Sequence, residues 1–280
     1  MIGCNVSTLG GLVKGIERAA ALGYQCTQIY TTSSRTWDIG AICLDDIQEY
    51  AKRSCVTLIG HIPLIVNLVS ENEIVREKSM KRLSQEIIRA CAYGIHTLVL
   101  HPGSTLDGNI DRGINCLIKA LNGVSSICAE HNIRLALETM SGQGTQIGSS
   151  FGELACIIQG VKDNSHLAVC LDTCHLYAAG YQIERQDLLN SVLSEFDEKI
   201  GIKRISAVHL NNTKTELGKK IDRHSSIFDG NIRLETFEAL VCDKRFEQIP
   251  MIIEPSTKDI TGAEQVKYLQ KIIKETSYEN

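Results

Sequence analysis

Six side chains of metal-ligand type follow short apolar segments at nearly regular intervals. They are His61, His101, Glu138, Asp172, His209 and Glu254. Each one ends a run such as Leu98-Val99-Leu100 or Met251-Ile252-Ile253, and successive members of the set lie 34 to 45 residues apart. Imidazole and carboxylate groups are common protein ligands of Zn²⁺. The pattern therefore predicts a metal site built from the ends of six strands.

An eightfold strand–helix repeat explains the spacing, because 280 residues shared among eight units give about 35 residues each. Apolar segments predict strands near 2–6, 25–30, 56–61, 97–101, 133–138, 167–172, 203–209 and 250–254. Helical periodicity predicts helices over 11–22, 73–93, 110–129, 151–161, 188–200, 234–241 and 263–273. Such alternation favours parallel pairing through right-handed crossovers. We predict an α/β protein, a single-domain (β/α)8 TIM barrel over residues 1–280, with the metal site at the C-terminal ends of the strands.

Two short motifs add further ligands. His175 follows Asp172 by three residues, so one junction offers both a carboxylate and an imidazole. Asp222 and His224 lie two apart in the long segment 211–233, and alternate residues of an extended chain point to the same side. The alternatives are that Asp172 only caps a helix and that the second pair only faces water. Together, His175, Asp222 and His224 would form a three-ligand site with an open fourth position.

The apolar surroundings of two glutamates indicate that each has a cationic partner. Glu138 and Glu254 end very apolar segments and have no basic neighbour in sequence. Because an unpaired buried carboxylate is energetically costly, each needs a compensating cation. A metal ion is the simplest partner, and a salt bridge to a distant arginine is the alternative. For His61 and His101, the alternative to a ligand role is that of a hydrogen-bonded core histidine.

Composition excludes several classes of protein. No apolar run approaches the ~20 residues that span a bilayer, and the N-terminal segment lacks the features of a signal peptide. Eleven cysteines without paired spacing indicate core packing in a reducing compartment. We therefore predict a soluble, intracellular protein of the cytoplasm with no membrane partner, and we also expect a monomer. The formal net charge of −4 argues against nucleic-acid binding, although three Zn²⁺ would bring it to about +2.

Two segments nevertheless carry residues suited to nucleic acid. Arg35 and Trp37 follow the second predicted strand, where an aromatic ring beside a cation could contact an unstacked strand. Alternatively, Trp37 packs against the barrel. Lys214 belongs to a basic cluster in segment 211–233 that could contact phosphate.

With these residues assembled, the chain resembles the endonuclease IV family of apurinic/apyrimidinic (AP) endonucleases. The resemblance is carried by His101-Pro102-Gly103-Ser104, Glu138-Thr139, Val169-Cys170-Leu171-Asp172-Thr173-Cys174-His175, His209-Leu210-Asn211, Asp222-Arg223-His224 and Ile253-Glu254. The motifs at 171–175 and 222–224 are highly specific, and the resemblance runs over nearly the whole chain.

The resemblance implies a site for three Zn²⁺ per chain. The implied ligands are His61, His101 and Glu138 for one ion, then Asp172, His209 and Glu254 with bridging Glu138 for the second, and His175, Asp222 and His224 for the third. Glu138 and Glu254 would be the catalytic residues. The implied reaction is hydrolysis of the phosphodiester 5′ to an abasic site in double-stranded DNA, leaving a 3′-hydroxyl and a 5′-deoxyribose phosphate. This reaction belongs to base excision repair.

Departures from the family pattern concern the DNA contacts and one strand end. Arg35 matches an arginine that enters the DNA in the family, whereas Leu64 and Ile65 stand where the family commonly has Tyr-Leu. Asn5 stands where relatives often carry His. We predict DNA contacts at Arg35, Leu64, Ile65 and Lys214.

Two other functions remain open from the sequence. A sugar isomerase or epimerase resembling xylose isomerase would use Glu138, Asp172, His209 and Glu254 around one metal ion. This alternative leaves the remaining five ligand-type residues unexplained. A non-catalytic nucleic-acid or metal-binding protein that retains the barrel is the other alternative.

Overall fold

The computed structural model describes residues 1–32, 36–41, 49–50, 53–255 and 262–278. Its strands are β1 (Ile2–Asn5), β2 (Cys26–Tyr30), β3 (Thr57–His61), β4 (Thr97–Leu100), β5 (Arg134–Glu138), β6 (Leu167–Asp172), β7 (Ile205–His209), β8 (Asn212–Thr213), β9 (His224–Ser225) and β10 (Met251–Ile253). Eight of them form a closed parallel barrel in the order β1-β10-β7-β6-β5-β4-β3-β2. β8 and β9 pair separately as an antiparallel ribbon.

Helices follow the barrel strands. They are α1 (Leu12–Ala21), α2 (Glu73–Ala92), α3 (Ile110–His131), α4 (Phe151–Gly160), α5 (Thr173–Ala179), α6 (Gln186–Lys199), α7 (Leu234–Cys242) and α8 (Gly262–Tyr278). Asn72, Asn109 and Ser150 begin α2, α3 and α4, because their side chains accept hydrogen bonds from the first-turn N–H groups. The predicted (β/α)8 barrel is confirmed.

Alternation along the strands places the interior residues. A buried cluster inside the barrel consists of Cys26, Ile59, Val99, Ala136, Ala168, Cys170, Ala207 and Ile252. At six strands the ligand-type residue lies two positions after a member of this cluster, as His61 does after Ile59. Since side chains two apart in a strand share a face, the ligand-type residues form the next interior layer towards the C-terminal end.

Several bounds differ from the sequence prediction. The seventh barrel strand begins at Ile205 and not at 203, because Ile202–Arg204 forms a 3-10 turn. α6 begins at Gln186, two residues before the predicted start. α5 was not predicted, because its seven residues are too few for a visible helical period. The segment 211–233, expected to lack regular structure, contains the β8–β9 ribbon.

The cysteines are less uniformly buried than their apolar surroundings predict. Cys4, Cys26, Cys128, Cys170 and Cys174 are buried, whereas Cys55 and Cys156 are exposed. All ten cysteines that the structure describes are free thiols. Among the helices within the described ranges, none is long and apolar enough to cross a membrane.

Candidate metal centre

The six strand-end side chains meet at one end of the barrel. Four of them are within strands β3, β5, β6 and β7, and His101 and Glu254 follow β4 and β10 directly. Asp172 and His209 are register partners across β6 and β7. Parallel strands bring their carboxyl ends to one rim, so the repeat in the sequence becomes a ring in space.

Glu138 lies at the centre of this ring and is 1% exposed. Its Oε2 is 3.2 Å from His61 Nε2 and 3.1 Å from His101 Nε2. Its Oε1 is 3.2 Å from Nδ1 of both His175 and His209. Each carboxylate oxygen therefore faces a different pair of imidazoles, which is an arrangement suited to bridging two cations.

The remaining ligand-type residues come from α5 and the ribbon. α5 begins with Asp172 as its N-cap, since Asp172 Oδ1 accepts the His175 N–H at 2.9 Å. Because His175 lies in the first turn of α5, its side chain is close to the strand-end residues, with Nδ1 3.2 Å from Glu138 Oε1. Its Nε2 is 3.2 Å from Asp222 Oδ1, and His224 Nε2 is 3.4 Å from the same oxygen.

Clustering of the possible ligand atoms gives four groups among the described residues. They are His61, His101 and Glu138; Glu138, Asp172, His209 and Glu254; His175, Asp222 and His224; and Asp172, Cys174 and His224. In each group the candidate atoms all lie within 4.8 Å of one another. The first three groups contain every residue that the sequence predicts as a ligand. Cys174, in the fourth, was not predicted.

Backbone contacts orient two of the imidazoles. His61 Nδ1 lies 2.7 Å from the carbonyl oxygen of Ile62, and His175 Nδ1 lies 2.9 Å from that of Thr139. A carbonyl can only accept, so each ring carries its proton on Nδ1. Nε2 of each ring is then the nitrogen that faces the cluster, 3.2 Å from Glu138 Oε2 in His61 and 3.2 Å from Asp222 Oδ1 in His175. Metal-ligating histidines in general are oriented by such a hydrogen bond.

Asn211 is a supporting residue that sequence analysis missed. Its amide donates to Asp172 Oδ2 at 2.6 Å and to Glu254 Oε2 at 3.1 Å. Its sequence signals were its membership of the motif His209-Leu210-Asn211 and its place two residues after His209, just beyond the strand end. Gln28, inside β2, is a second such residue, and its signal was a polar side chain facing the barrel interior.

Electrostatics keep the carboxylates ionised. Burial opposes the charged form of Glu138, but the adjacent imidazoles of His101 and His209 outweigh it and hold its pKa well below the ordinary value. Burial likewise opposes ionisation of Asp172, yet the charges of His175 and His224 lower its pKa to about 2. The pKa of His175 is raised well above its ordinary value, because Asp172 and its other acidic neighbours overcome burial.

Two nitrogens show that a cation fits the centre. The Nε2 atoms of His175 and His224 are buried and have no hydrogen-bond partner among the described residues, although Asp222 Oδ1 is close to both. Buried polar atoms nearly always have a partner. Imidazole nitrogens and carboxylate oxygens that converge in this way match the donor set of Zn²⁺.

The predicted DNA-contact residues have varied surroundings. Leu64 is 55% exposed beyond β3, whereas Ile65 is half-buried against the core. Lys214 is exposed and pairs with Asp229 at 2.5 Å. Trp37 is half-buried, and Lys78 Nζ lies 6.0 Å from its ring centroid. Arg35 is outside the described residues.

The closed β/α barrel and its ring of ligand-type residues define a class of protein. The family model described as xylose isomerase-like TIM barrel matches residues 16–276, and the chain belongs to that class. A probable endonuclease 4 of Campylobacter hominis is 34% identical over 280 residues, covering 98% of each chain. Another, from Trichlorobacter lovleyi, is 33% identical and covers 95% of this chain and 96% of the relative.

Solved structures agree with the sequence relatives. Endonuclease IV from Thermus thermophilus superposes with a TM-score of 0.82 at 28% identity, covering 98% of this chain and 99% of that one. Within the class, the chain belongs to the endonuclease IV family, as its motifs predicted. A D-tagatose 3-epimerase-like protein, with a TM-score of 0.73 at 22% identity, shares the fold alone.

Proposed function

We propose that the chain is a zinc-dependent endonuclease that hydrolyses the phosphodiester 5′ to abasic sites in double-stranded DNA. The products are a 3′-hydroxyl and a 5′-deoxyribose phosphate, as base excision repair requires. Relatives named probable endonuclease 4 support a DNA-cleaving hydrolase. The observation that carries the proposal is Glu138, whose two oxygens face imidazoles from different groups.

Three Zn²⁺ per chain would be held by the three predicted groups. His61, His101 and Glu138 would bind one ion; Glu138, Asp172, His209 and Glu254 the second; His175, Asp222 and His224 the third. The exposed fractions of the His101, Asp222 and His224 side chains are 26%, 29% and 21%. These three residues therefore line the solvent side of the centre, where a phosphate could approach.

In this proposal, catalysis depends on carboxylates that are already ionised, and on ions that are already bound, before the DNA arrives. When bound, the ions would lower the pKa of water towards ~7 and neutralise charge on the phosphate and the leaving oxygen. Glu138 and Glu254 keep low pKa values, although burial opposes their charge, because neighbouring imidazoles stabilise the carboxylates. They would therefore hold cations at neutral pH without first losing a proton.

The DNA would reach the rim by way of its surrounding loops. An abasic nucleotide flips out more cheaply than a paired one, because no base pair has to be broken. Arg35, Leu64 and Ile65 are proposed to fill the gap in the stack, with Lys214 near a phosphate. We further propose that residues 1–280 act as one domain, as a monomer in the cytoplasm.

A one-metal sugar isomerase or epimerase is the chief alternative. D-psicose 3-epimerase shares the barrel at 14% identity, so the fold does not discriminate between the two functions. The alternative uses only Glu138, Asp172, His209 and Glu254. It gives no role to the convergence of His175, Asp222 and His224, whose ligand atoms lie within 4.8 Å of one another. A non-catalytic binding protein leaves this convergence equally unused.

Incision of a labelled duplex containing one abasic analogue tests the proposal. The zinc-loaded chain should cut 5′ to the lesion, and a chelator should stop it. Glu138→Gln should reduce the rate at least ~100-fold, since even outer-shell changes at metal sites cost 10–100-fold. Glu130→Gln, at an exposed position of α3, is the matched control. Wild-type incision by Glu138→Gln, or incision unaffected by chelator, would refute the mechanism.

A further inference from the structure

Gln28 has a buried side-chain amide that lies between His209 and Glu254, two members of the group Glu138, Asp172, His209 and Glu254. It lies in β2, is 1% exposed and faces the barrel interior. Its Oε1 is 2.9 Å from His209 Nε2, and its Nε2 donates to Glu254 Oε1 at 2.8 Å. One side chain therefore contacts a ligand-type residue from β7 and another that follows β10.

The chemistry of these partners fixes the proton on His209. An ionised carboxylate accepts hydrogen bonds but cannot donate them, so the NH₂ group of Gln28 must face Glu254. Its carbonyl oxygen then faces His209, and the ring must carry its proton on Nε2. The other ring nitrogen, Nδ1, lies 3.2 Å from Glu138 Oε1 and 3.3 Å from Glu254 Oε2, and it is the nitrogen of His209 left to bind a cation in this group.

This contact differs in kind from those of His61 and His175. Backbone carbonyls orient those two rings, and no substitution removes a backbone carbonyl. For His209 the orienting atom belongs to a side chain. Its tautomer therefore depends on which residue occupies position 28.

Gln28 also orients Glu254. The Glu254 Oε1 atom accepts from Gln28 and, at 3.2 Å, from Asn5 Nδ2. With Oε1 held by two amides, Oε2 is turned towards His209 Nδ1. Among the described residues, Asn5 makes no hydrogen bond to His209, so the two amides are not equivalent.

We propose that Gln28 is the positioning residue of the group formed by Glu138, Asp172, His209 and Glu254. It accepts a hydrogen bond from the protonated Nε2 of His209, so that Nδ1 is the nitrogen that would bind the ion, and it aims Glu254 Oε2 at the same point. The inference rests on the proposed function, because it assumes that this group holds a metal ion. The expected ligand is Zn²⁺.

Metal release from the zinc-loaded protein tests the role of Gln28 without DNA. Gln28→Met keeps the length of the side chain and removes both hydrogen bonds. One of three ions should pass to a chromogenic chelator 10–100-fold faster than in wild type, the usual effect of losing an outer-shell partner. Gln25→Met is the matched control, because Gln25 lies just before β2 and accepts the Ile2 N–H at 3.0 Å, away from the site.

A second variant separates tautomer selection from the orientation of Glu254. Asn5→Ala removes a hydrogen bond to Glu254 and leaves His209 untouched, so its ion release should stay close to wild type. If Gln28→Met does not fold, Gln28→Glu replaces it. That variant keeps the oxygen facing His209 but sets a carboxylate against Glu254, and it should also release one ion faster.

Kinetics supply the remaining readout. Gln28→Met should lower kcat for abasic incision and leave KM unchanged, because DNA contacts are untouched. Ion release from folded Gln28→Met at the wild-type rate would overturn the inference, as would Asn5→Ala releasing its ion as fast as Gln28→Met. A wild-type chain that binds zinc but never cuts abasic DNA would overturn the proposed function, and the release experiment would still decide the role of Gln28.

Discussion

At the residue scale, Asp172 shows how one carboxylate serves both fold and site. Its Oδ1 caps α5 through the His175 N–H, and its Oδ2 accepts from Asn211 and faces His209 Nδ1 at 3.5 Å. The sequence left helix cap and ligand as competing interpretations. The structure makes them compatible, because the two oxygens point in different directions.

Acid titration of the metal-stripped protein tests the electrostatics of Asp172. Burial opposes its charge, but His175 and His224 lower its pKa from 3.8 to about 2. A group with a lowered folded pKa contributes stability above its unfolded pKa and loses it as pH falls through the folded value. Relative to Asp172→Asn, wild type should therefore lose about 1 kcal/mol of unfolding free energy between pH 5 and pH 3.

Urea unfolding of both proteins at the two pH values measures this difference. Asn is also a good N-cap, so α5 keeps its start in the variant. Any constant cost of the substitution cancels, because only the change with pH is compared. A stability difference that is the same at pH 5 and pH 3 would contradict the lowered pKa.

At the element scale, α2 holds the chain that follows β2. Arg89, which is 4% exposed, donates to the carbonyl oxygens of Ile39, Gly40 and Ala41 at 2.7, 2.6 and 3.1 Å. Nearer the start of the helix, Arg82 donates a hydrogen bond to Thr32, and Thr32 donates one to Glu86. The described parts of this loop are thus attached to a helix through buried charged groups.

Arg89→Ala should loosen this loop and weaken DNA binding. Hydrogen bonds to charged groups contribute about 1.5–3 kcal/mol each, so we expect KM for the abasic duplex to rise roughly tenfold. Metal content should not change, because Arg89 contacts no ligand-type residue among the described ones. Amide hydrogen exchange across residues 36–41 should accelerate.

Lys81→Ala, on the exposed face of the same helix, is the control for this change. It should leave KM and hydrogen exchange at their wild-type values. If the amide hydrogens of residues 36–41 exchange no faster in Arg89→Ala than in Lys81→Ala, the loop is not held by α2.

At the scale of the whole molecule, the centre joins distant parts of the chain. The nine ligand-type residues extend from His61 to Glu254 and come from the ends of barrel strands or the residue directly after them, from α5, and from positions 222 and 224, just before and at the start of β9. Bound ions would cross-link these elements. An ion that binds only the folded state adds its binding free energy to stability.

Removal of metal should therefore lower the melting temperature. An ion present at 100 times its Kd contributes about 2.7 kcal/mol, which corresponds to roughly 5 °C in a chain of this size. Each ion lost to a chelator should therefore lower the melting temperature by roughly 5 °C. Titration with Zn²⁺, followed by calorimetry, should restore the melting temperature at three ions per chain. Full recovery at one ion, or no shift on chelation, would contradict a three-ion centre.

The repeat in the sequence by itself determined the barrel and the strand-end part of the centre. Apolar segments about one unit apart define parallel strands, and alternation fixes which side chains face inwards. His61, Glu138, Asp172 and His209 could therefore be placed on one rim from the sequence. Local periodicity contains that information because it depends on residues close together in the chain.

Only the tertiary structure decided which distant groups meet. The amide of Gln28 between His209 and Glu254 and the attachment of Arg89 to the loop after β2 each join segments that are far apart in the chain. Such contacts depend on barrel closure and on the paths of the loops. These are set by packing of the whole chain, and no local pattern in the sequence records them.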